Sequence, residues 1–134
     1  MESISWFVPI LPGKLDAWKA FTEETKGPRK EQHAQSRKRL RISREFVSLV
    51  QTPQGDFASV FLEAKDLTKA FTDMAASSDP FDVWFMEGTM DVHGMTREVW
   101  ENPMPVTAYF DYRDEGMESA ARREPAGKMS TDTD

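Results

Sequence analysis

Apolar and polar positions alternate along four stretches of the chain, and this period of two predicts β-strands. The predicted strands are residues 4–10, 46–51, 57–64 and 106–112. In the first stretch Ile4, Trp6 and Val8 share one side, which is the spacing of a strand face that becomes buried. The second and third strands are separated by a short segment containing Pro53 and Gly55, so they are predicted to form a hairpin.

Between these strands, apolar residues recur every three or four positions, which predicts amphipathic helices. The predicted helices begin after Gly13, at Pro28, after Asp66 and at Pro80. Asp66 and Asp79 are of the residue type that caps helix N-termini, and Gly94 is suited to the end of the last helix. The resulting order is β-α-β-β-α-β, with each helical region in two pieces. We therefore expect an α+β fold of the ferredoxin-like type, with an antiparallel sheet and helices on one face.

The central hairpin has apolar side chains on both of its faces. Phe46 and Val50 point to one side of the predicted sheet, and Val47 and Leu49 point to the other. An antiparallel sheet with one wet side has a mainly polar outer face, so this sheet needs cover on both sides. The helices of a single domain cover only one of them. We therefore expect a homodimer in which a second copy covers the other face.

Length and composition fit one small domain. The chain has 134 residues, of which 39% are hydrophobic, and it has no apolar run long enough to cross a bilayer. Residues 1–113 carry the periodic pattern, whereas residues 114–134 are polar and are predicted to be a disordered tail. The absence of cysteine excludes disulfides and thiolate chemistry and suits a cytoplasmic location. With a net charge of −6, we expect neither a nucleic-acid nor a membrane partner.

The second predicted helix is the most polar part of the chain and carries the main candidate site. It lies in the segment from Lys26 to Arg44, which has eight basic residues and one acidic residue. Arg29, His33 and Arg37 are spaced four residues apart, so they share one face of the helix. That face could hold a carboxylate or a phosphate, or it could be a solvated basic surface. The apolar positions available for packing are Ala34 and Leu40.

Five short segments within residues 4–112 carry a resemblance to a known family. They are Phe7–Lys14, Gln51–Asp56, Phe61–Ala64, Asp79–Phe85 and Val92–Gly94. In these segments the chain resembles the dimeric α/β-barrel superfamily, and within it small bacterial proteins of unassigned function. The resemblance implies a ferredoxin-like domain that pairs sheet to sheet as a homodimer. The superfamily includes cofactor-free monooxygenases, isomerases and haem-binding enzymes.

The resemblance and the residues together leave two classes of function open. The first is a binding protein that holds a small hydrophobic or weakly acidic molecule in a cavity between sheet and helices. Its candidate ligand-binding residues are Arg29, His33, Arg37, Trp84 and Phe85. The second is a small enzyme of the monooxygenase or isomerase kind, in which Arg37 orients an acid or enolate oxygen and His33 moves a proton. A haem-binding protein is a further alternative with His93 as a remote candidate ligand, although no cofactor or metal site is predicted.

Overall fold

The computed structural model describes residues 1–117 as an α+β fold. Its strands are β1 (Glu2–Pro9), β2 (Ile42–Thr52) and β3 (Gly55–Ala64). Its helices are α1 (Leu15–Lys26), α2 (Lys30–Arg39), α3 (Leu67–Ala76), α4 (Pro80–His93) and the short α5 (Glu98–Glu101). The α+β class and the antiparallel sheet predicted from the sequence are confirmed, and the sheet has three strands within the described residues.

The three strands lie in the order β1-β3-β2, and both pairings are antiparallel. β2 and β3 form the predicted hairpin, with Thr52 opposite Gly55 at its tip. Gly55 has a φ of 137°, which L-amino acids with a side chain rarely adopt. β1 pairs with the other side of β3, and Val8 lies opposite Ala58. Within residues 1–117, β3 is therefore the central strand, whereas β1 and β2 are both edge strands.

The helices cover the face of the sheet to which Val8 and Ala58 point. These two residues are buried against Trp18 of α1 and Val92 of α4. A second buried cluster joins the helices to one another, and its members are Leu40, Ala70, Met74, Ala75, Met86 and Trp100. Burial of these side chains is the main source of stability, at roughly 25 cal/mol for each Å² of apolar surface removed from water.

The other face of the sheet, which we call the open face, is covered by none of the helices α1 to α5. It carries Phe7 of β1 and Phe46 of β2, which are 62% and 43% exposed. Phe57 of β3 contacts Phe7, with 6.1 Å between ring centroids. The open face therefore combines exposed aromatic rings with polar side chains such as those of Ser5 and Ser59.

Helix boundaries follow the capping residues that the sequence indicates. The Oδ1 atom of Asp66 accepts a hydrogen bond from the backbone N–H of Lys69 at 3.0 Å, and Asp79 accepts one from Phe81 at 2.9 Å. Gly94 ends α4 in the left-handed conformation, with a φ of 67°. These three predicted caps are confirmed.

The fourth strand, predicted at residues 106–112, is not formed. Tyr109 is 100% exposed and Phe110 is 89% exposed, and residues 106–112 pair with none of the three strands. The chain is held on either side of them, because Trp100 is buried beside Phe71 and Arg113 pairs with Glu63. Alternation of apolar residues is typical of a strand, but the strand forms only when its backbone pairs with the edge of another strand. Residues 118–134 of the predicted tail lie outside the described residues.

Candidate functional site

The polar helix α2 packs on α4 through cations placed over aromatic rings. The guanidinium carbon of Arg29 is 4.1 Å from the ring centroid of Trp84, and that of Arg37 is 4.4 Å from the centroid of Phe85. The ring of His33 also lies near Phe85, with 6.2 Å between centroids. The three residues predicted to share one helix face do share it, and that face is turned toward α4.

The packing stripe predicted for α2 is only half correct. Leu40 is buried, but Ala34 lies on the exposed side, and the buried positions within the helix are Ser36 and Arg37. Planar guanidinium groups and their aliphatic stems can cover aromatic surface as apolar side chains do. Hydrophobic periodicity does not detect such a face, because it scores arginine as polar.

The centre of the cluster is a carboxylate that the sequence analysis did not single out, Glu45 of β2. The Nε and Nη2 atoms of Arg37 donate to its two oxygens at 2.8 and 3.0 Å, which is a bidentate arginine–carboxylate pair. His33 Nε2 donates to the same carboxylate at 2.7 Å. The third nitrogen of the Arg37 guanidinium, Nη1, donates to the hydroxyl of Ser36 at 3.0 Å. We call His33, Arg37 and Glu45 the inner cluster.

Glu45 is held in its ionised form. Burial by itself raises the pKa of Glu45, but the charge of Arg37 and the hydrogen bonds from His33 and Arg37 lower it more, so the pKa falls from 4.5 to about 2. The side chains of Arg37 and Glu45 are only 10% and 17% exposed. At neutral pH Arg37 and Glu45 therefore form a charged, largely dehydrated pair that ties α2 to β2.

The remaining predicted ligand-binding residues are occupied by contacts within the chain. Arg29 pairs with Glu24 at 2.7 Å and lies over Trp84. Trp84 and Phe85 both pack against Phe21 of α1, with centroid distances of 4.9 and 5.2 Å. An anion that bound to Arg29 or Arg37 would have to displace a carboxylate already in place. The catalytic roles of His33 and Arg37 remain predictions. In the structure both side chains hydrogen-bond to Glu45 and so hold α2 against β2.

A signal for Glu45 is present in the sequence. Glu45 is two residues before Val47 and four before Leu49, so it continues the strand face that turns toward the helices. A carboxylate on a face that becomes covered requires a cation or several hydrogen-bond donors. The basic helix that ends six residues earlier is the obvious source, but only the tertiary fold places Arg37 beside Glu45.

A second charged network continues from the inner cluster toward α4. Asp82 is 1% exposed and accepts hydrogen bonds from the hydroxyls of Ser36 at 2.5 Å and Ser77 at 2.6 Å, and from Arg39 at 3.0 Å. Burial raises the pKa of Asp82, and these donors lower it to a net value below its usual range. Because Ser36 also accepts from Arg37, the two networks are connected and fix α2 against both β2 and α4.

An open site lies elsewhere, along the edge of β1 that is unpaired within residues 1–117. It is a cleft of about 970 Å³, which we call the edge cleft. Its walls come from the first half of β1, from Phe61 and Glu63 of β3, from α3 and Trp100, and from residues 102–113. Sequence analysis missed this cleft, because its walls meet only through the tertiary fold.

Two side chains in the walls of the edge cleft have a polar group without a partner among the described residues. The guanidinium carbon of Arg44 lies over the rings of Phe46 and Phe61, 5.8 and 5.7 Å from their centroids, and Arg44 makes no ion pair within residues 1–117. Trp100 is 8% exposed, and its buried indole N–H lacks a hydrogen-bond partner in the described part of the chain. Phe71 adds an aromatic wall beside Trp100. Among the described residues, the cleft thus combines apolar surface, a cation that makes no ion pair and a donor that lacks a hydrogen-bond partner.

His93, the remote candidate for a haem ligand, is part of the packing at the end of α4. Its Nδ1–H donates to the carbonyl of Pro9 at 2.8 Å. Burial lowers the pKa of His93, although the hydrogen bond to Pro9 opposes this. Across residues 1–117, no three histidine or carboxylate side chains are grouped closely enough to hold a metal ion. None of the helices in the same range is both long enough and apolar enough to cross a membrane.

Comparison with known proteins gives no match: no protein-family model, no curated protein and no solved structure is similar to this chain. The geometry of the inner cluster and of the edge cleft is therefore the basis for a functional proposal.

Proposed function

We propose that this protein binds a small, mostly apolar molecule with a carboxylate group, and that the ligand occupies the edge cleft. The observation that carries the proposal is Arg44, a cation that makes no ion pair within residues 1–117 and lies in the aromatic wall of the cleft. Arginine binds carboxylates with two parallel hydrogen bonds, and pockets of roughly 300–1,000 Å³ are typical of small-molecule sites.

The polarity of the cleft supports the same class of ligand. Phe61, Phe71 and Trp100 offer aromatic surface to an aliphatic or aryl group. Thr68 and Thr72 of α3 line the same space and supply hydroxyl groups. The inner cluster supports the binding of a ligand less well, because Arg37 is already paired with Glu45. We therefore favour a binding protein over an enzyme that uses His33 and Arg37.

Isothermal titration calorimetry with octanoate and phenylpropanoate tests the proposal, and the corresponding alcohols serve as matched probes. We expect the acids to bind at least about tenfold more tightly than the alcohols, because a charge-assisted hydrogen bond contributes about 1.5–3 kcal/mol. Arg44→Gln should remove this preference. Lys38→Gln, which removes an exposed charge of the same basic segment, should preserve it.

Absence of binding by all four probes would refute the proposal. Equal losses in Arg44→Gln and Lys38→Gln would also refute it, because they would show general attraction to a basic surface. Native mass spectrometry of freshly purified protein provides an independent check, since a retained ligand would add its mass to that of the chain.

We further propose that the domain is ferredoxin-like and pairs through its open face with a second copy. The antiparallel order β1-β3-β2 supports this arrangement, because it is the order that the fold requires of its first three strands. The exposure of Phe7 and Phe46 on the open face supports the pairing. The same native mass spectrum should show a dimer, and Phe46→Lys should shift it to the monomer. A monomeric wild-type protein at micromolar concentration would contradict the pairing.

A further inference from the structure

The free edge of β1 and the exposed residues 106–112 are complementary in three ways. β1 is an edge strand of eight residues, and its outer side has no strand partner within residues 1–117. Residues 106–112 are seven residues long and rich in β-branched and aromatic side chains, which favour strands. The first half of β1 and residues 106–112 both line the edge cleft. An unpaired strand edge is a template for a further strand.

One contact already fixes how residues 106–112 would meet β1. Arg113 pairs with Glu63 at 3.1 Å and lies 3.4 Å from the hydroxyl of Ser3, and both partners point to the open face. Because side chains alternate along a strand, Asp111 and Tyr109 would share the open face with Arg113.

The same alternation sends the apolar set of this segment to the covered face. Its members are Val106, Ala108, Phe110 and Tyr112. They would join Ile4, Trp6 and Val8, the residues of β1 that point toward the helices. Phe110, which is 89% exposed in the open arrangement, would gain the most cover. Apolar side chains thus meet apolar ones, and Asp111 stays on the outer side.

We propose that residues 106–112 are a strap that closes the edge cleft by pairing with β1 as a fourth, antiparallel strand of the same chain. We further propose that a ligand in the cleft holds the strap open, which rests on the proposed function. The two states exclude each other, because pairing of the strap with β1 would close the edge cleft that both segments line. Closure within the chain is favoured over exchange with a second copy, since Trp100 and Arg113 tether both ends near β1.

A disulfide formed between β1 and the strap tests closure directly, and the absence of native cysteine makes the result unambiguous. With Arg113 at the level of Ser3, antiparallel pairing places Ser5 beside Asp111. Both residues are exposed. In Ser5→Cys/Asp111→Cys, mild oxidation without ligand should give an intramolecular disulfide in most molecules. The matched control is Ser43→Cys/Asp111→Cys, because Ser43 is an exposed serine of β2 at the opposite edge of the sheet. This control variant should not form the disulfide.

Each outcome decides the proposal. An intramolecular disulfide in the test pair alone supports closure. A disulfide-linked dimer, equal cross-linking of the control pair or no cross-link would overturn it. If the double variant does not fold, hydrogen exchange of the wild-type chain replaces it. Backbone amides of the strap should then exchange at least about tenfold more slowly than in an unstructured peptide, and unprotected amides would overturn closure.

Octanoate tests the coupling separately. A saturating concentration should slow disulfide formation in the test pair at least about tenfold, because only the closed state reacts. Octanoate that binds without slowing the reaction would overturn the coupling while leaving the proposed function intact. A disulfide that forms in a protein that binds none of the probes would support the strap and refute the function.

Discussion

Replacing Glu45 by glutamine tests the interpretation of the inner cluster as a dehydrated ion pair. Glu45→Gln keeps the size of the side chain and one oxygen that can accept from Arg37, but it removes the charge. The guanidinium group of Arg37, which is 10% exposed, then lacks its carboxylate. Removing one partner of a buried ion pair costs more than the pair contributes, because the remaining charge stays away from water.

The size of the effect follows from the pKa of Glu45. A fall from 4.5 in the unfolded chain to about 2 in the folded protein corresponds to about 3 kcal/mol of folding free energy at neutral pH. The folded-state pKa is the lower one, so this contribution is complete above pH 5 and declines as the pH falls toward 2. About 2 kcal/mol of it should be lost between pH 5 and pH 3.

Urea unfolding followed by circular dichroism at pH 7, 5 and 3 measures both quantities. We expect Glu45→Gln to lower the free energy of unfolding by about 3 kcal/mol at pH 7 and to lose the part of the acid dependence that Glu45 causes. Glu31→Gln is the matched control, since Glu31 is an exposed carboxylate of α2; its effect should stay within about 0.5 kcal/mol. If wild type and Glu45→Gln lose the same stability between pH 5 and pH 3, the ion-pair account is wrong.

Two further substitutions test local packing and backbone strain by thermal unfolding. In Gly88→Ala the new Cβ would lie 2.3 Å from a ring carbon of Phe21. Overpacking should therefore outweigh the gain in helix propensity of about 1 kcal/mol and lower the free energy of unfolding by about 1–2 kcal/mol. An unchanged or higher melting temperature would contradict this. Arg41 has a φ of 59° just after α2, so Arg41→Gly should stabilise by about 1 kcal/mol, whereas Lys38→Gly, within the helix, should destabilise by a similar amount. A destabilised Arg41→Gly would show that the arginine side chain makes a contact worth more than the strain.

The sequence alone determined most of the local structure, because local structure depends on neighbours along the chain. The alternation around Ile4 and Trp6 marks β1, and Asp66 and Asp79 mark helix starts through bonds to their own first turns. The spacing of Arg29, His33 and Arg37 placed them correctly on one face. Each of these inferences uses residues that lie within a few positions of one another.

Only the tertiary structure decided what those faces meet. The arginine face of α2 turns inward, because the register of β2 places a carboxylate opposite Arg37 and α4 offers rings to both arginines. The edge cleft is assembled from β1, α3 and residues 102–113, which are far apart in sequence. Residues 106–112 show most clearly what a sequence pattern alone cannot predict. Their alternation specifies a strand, but whether a strand forms depends on the free energy of its contact with β1, and a pattern along one chain segment does not contain that quantity.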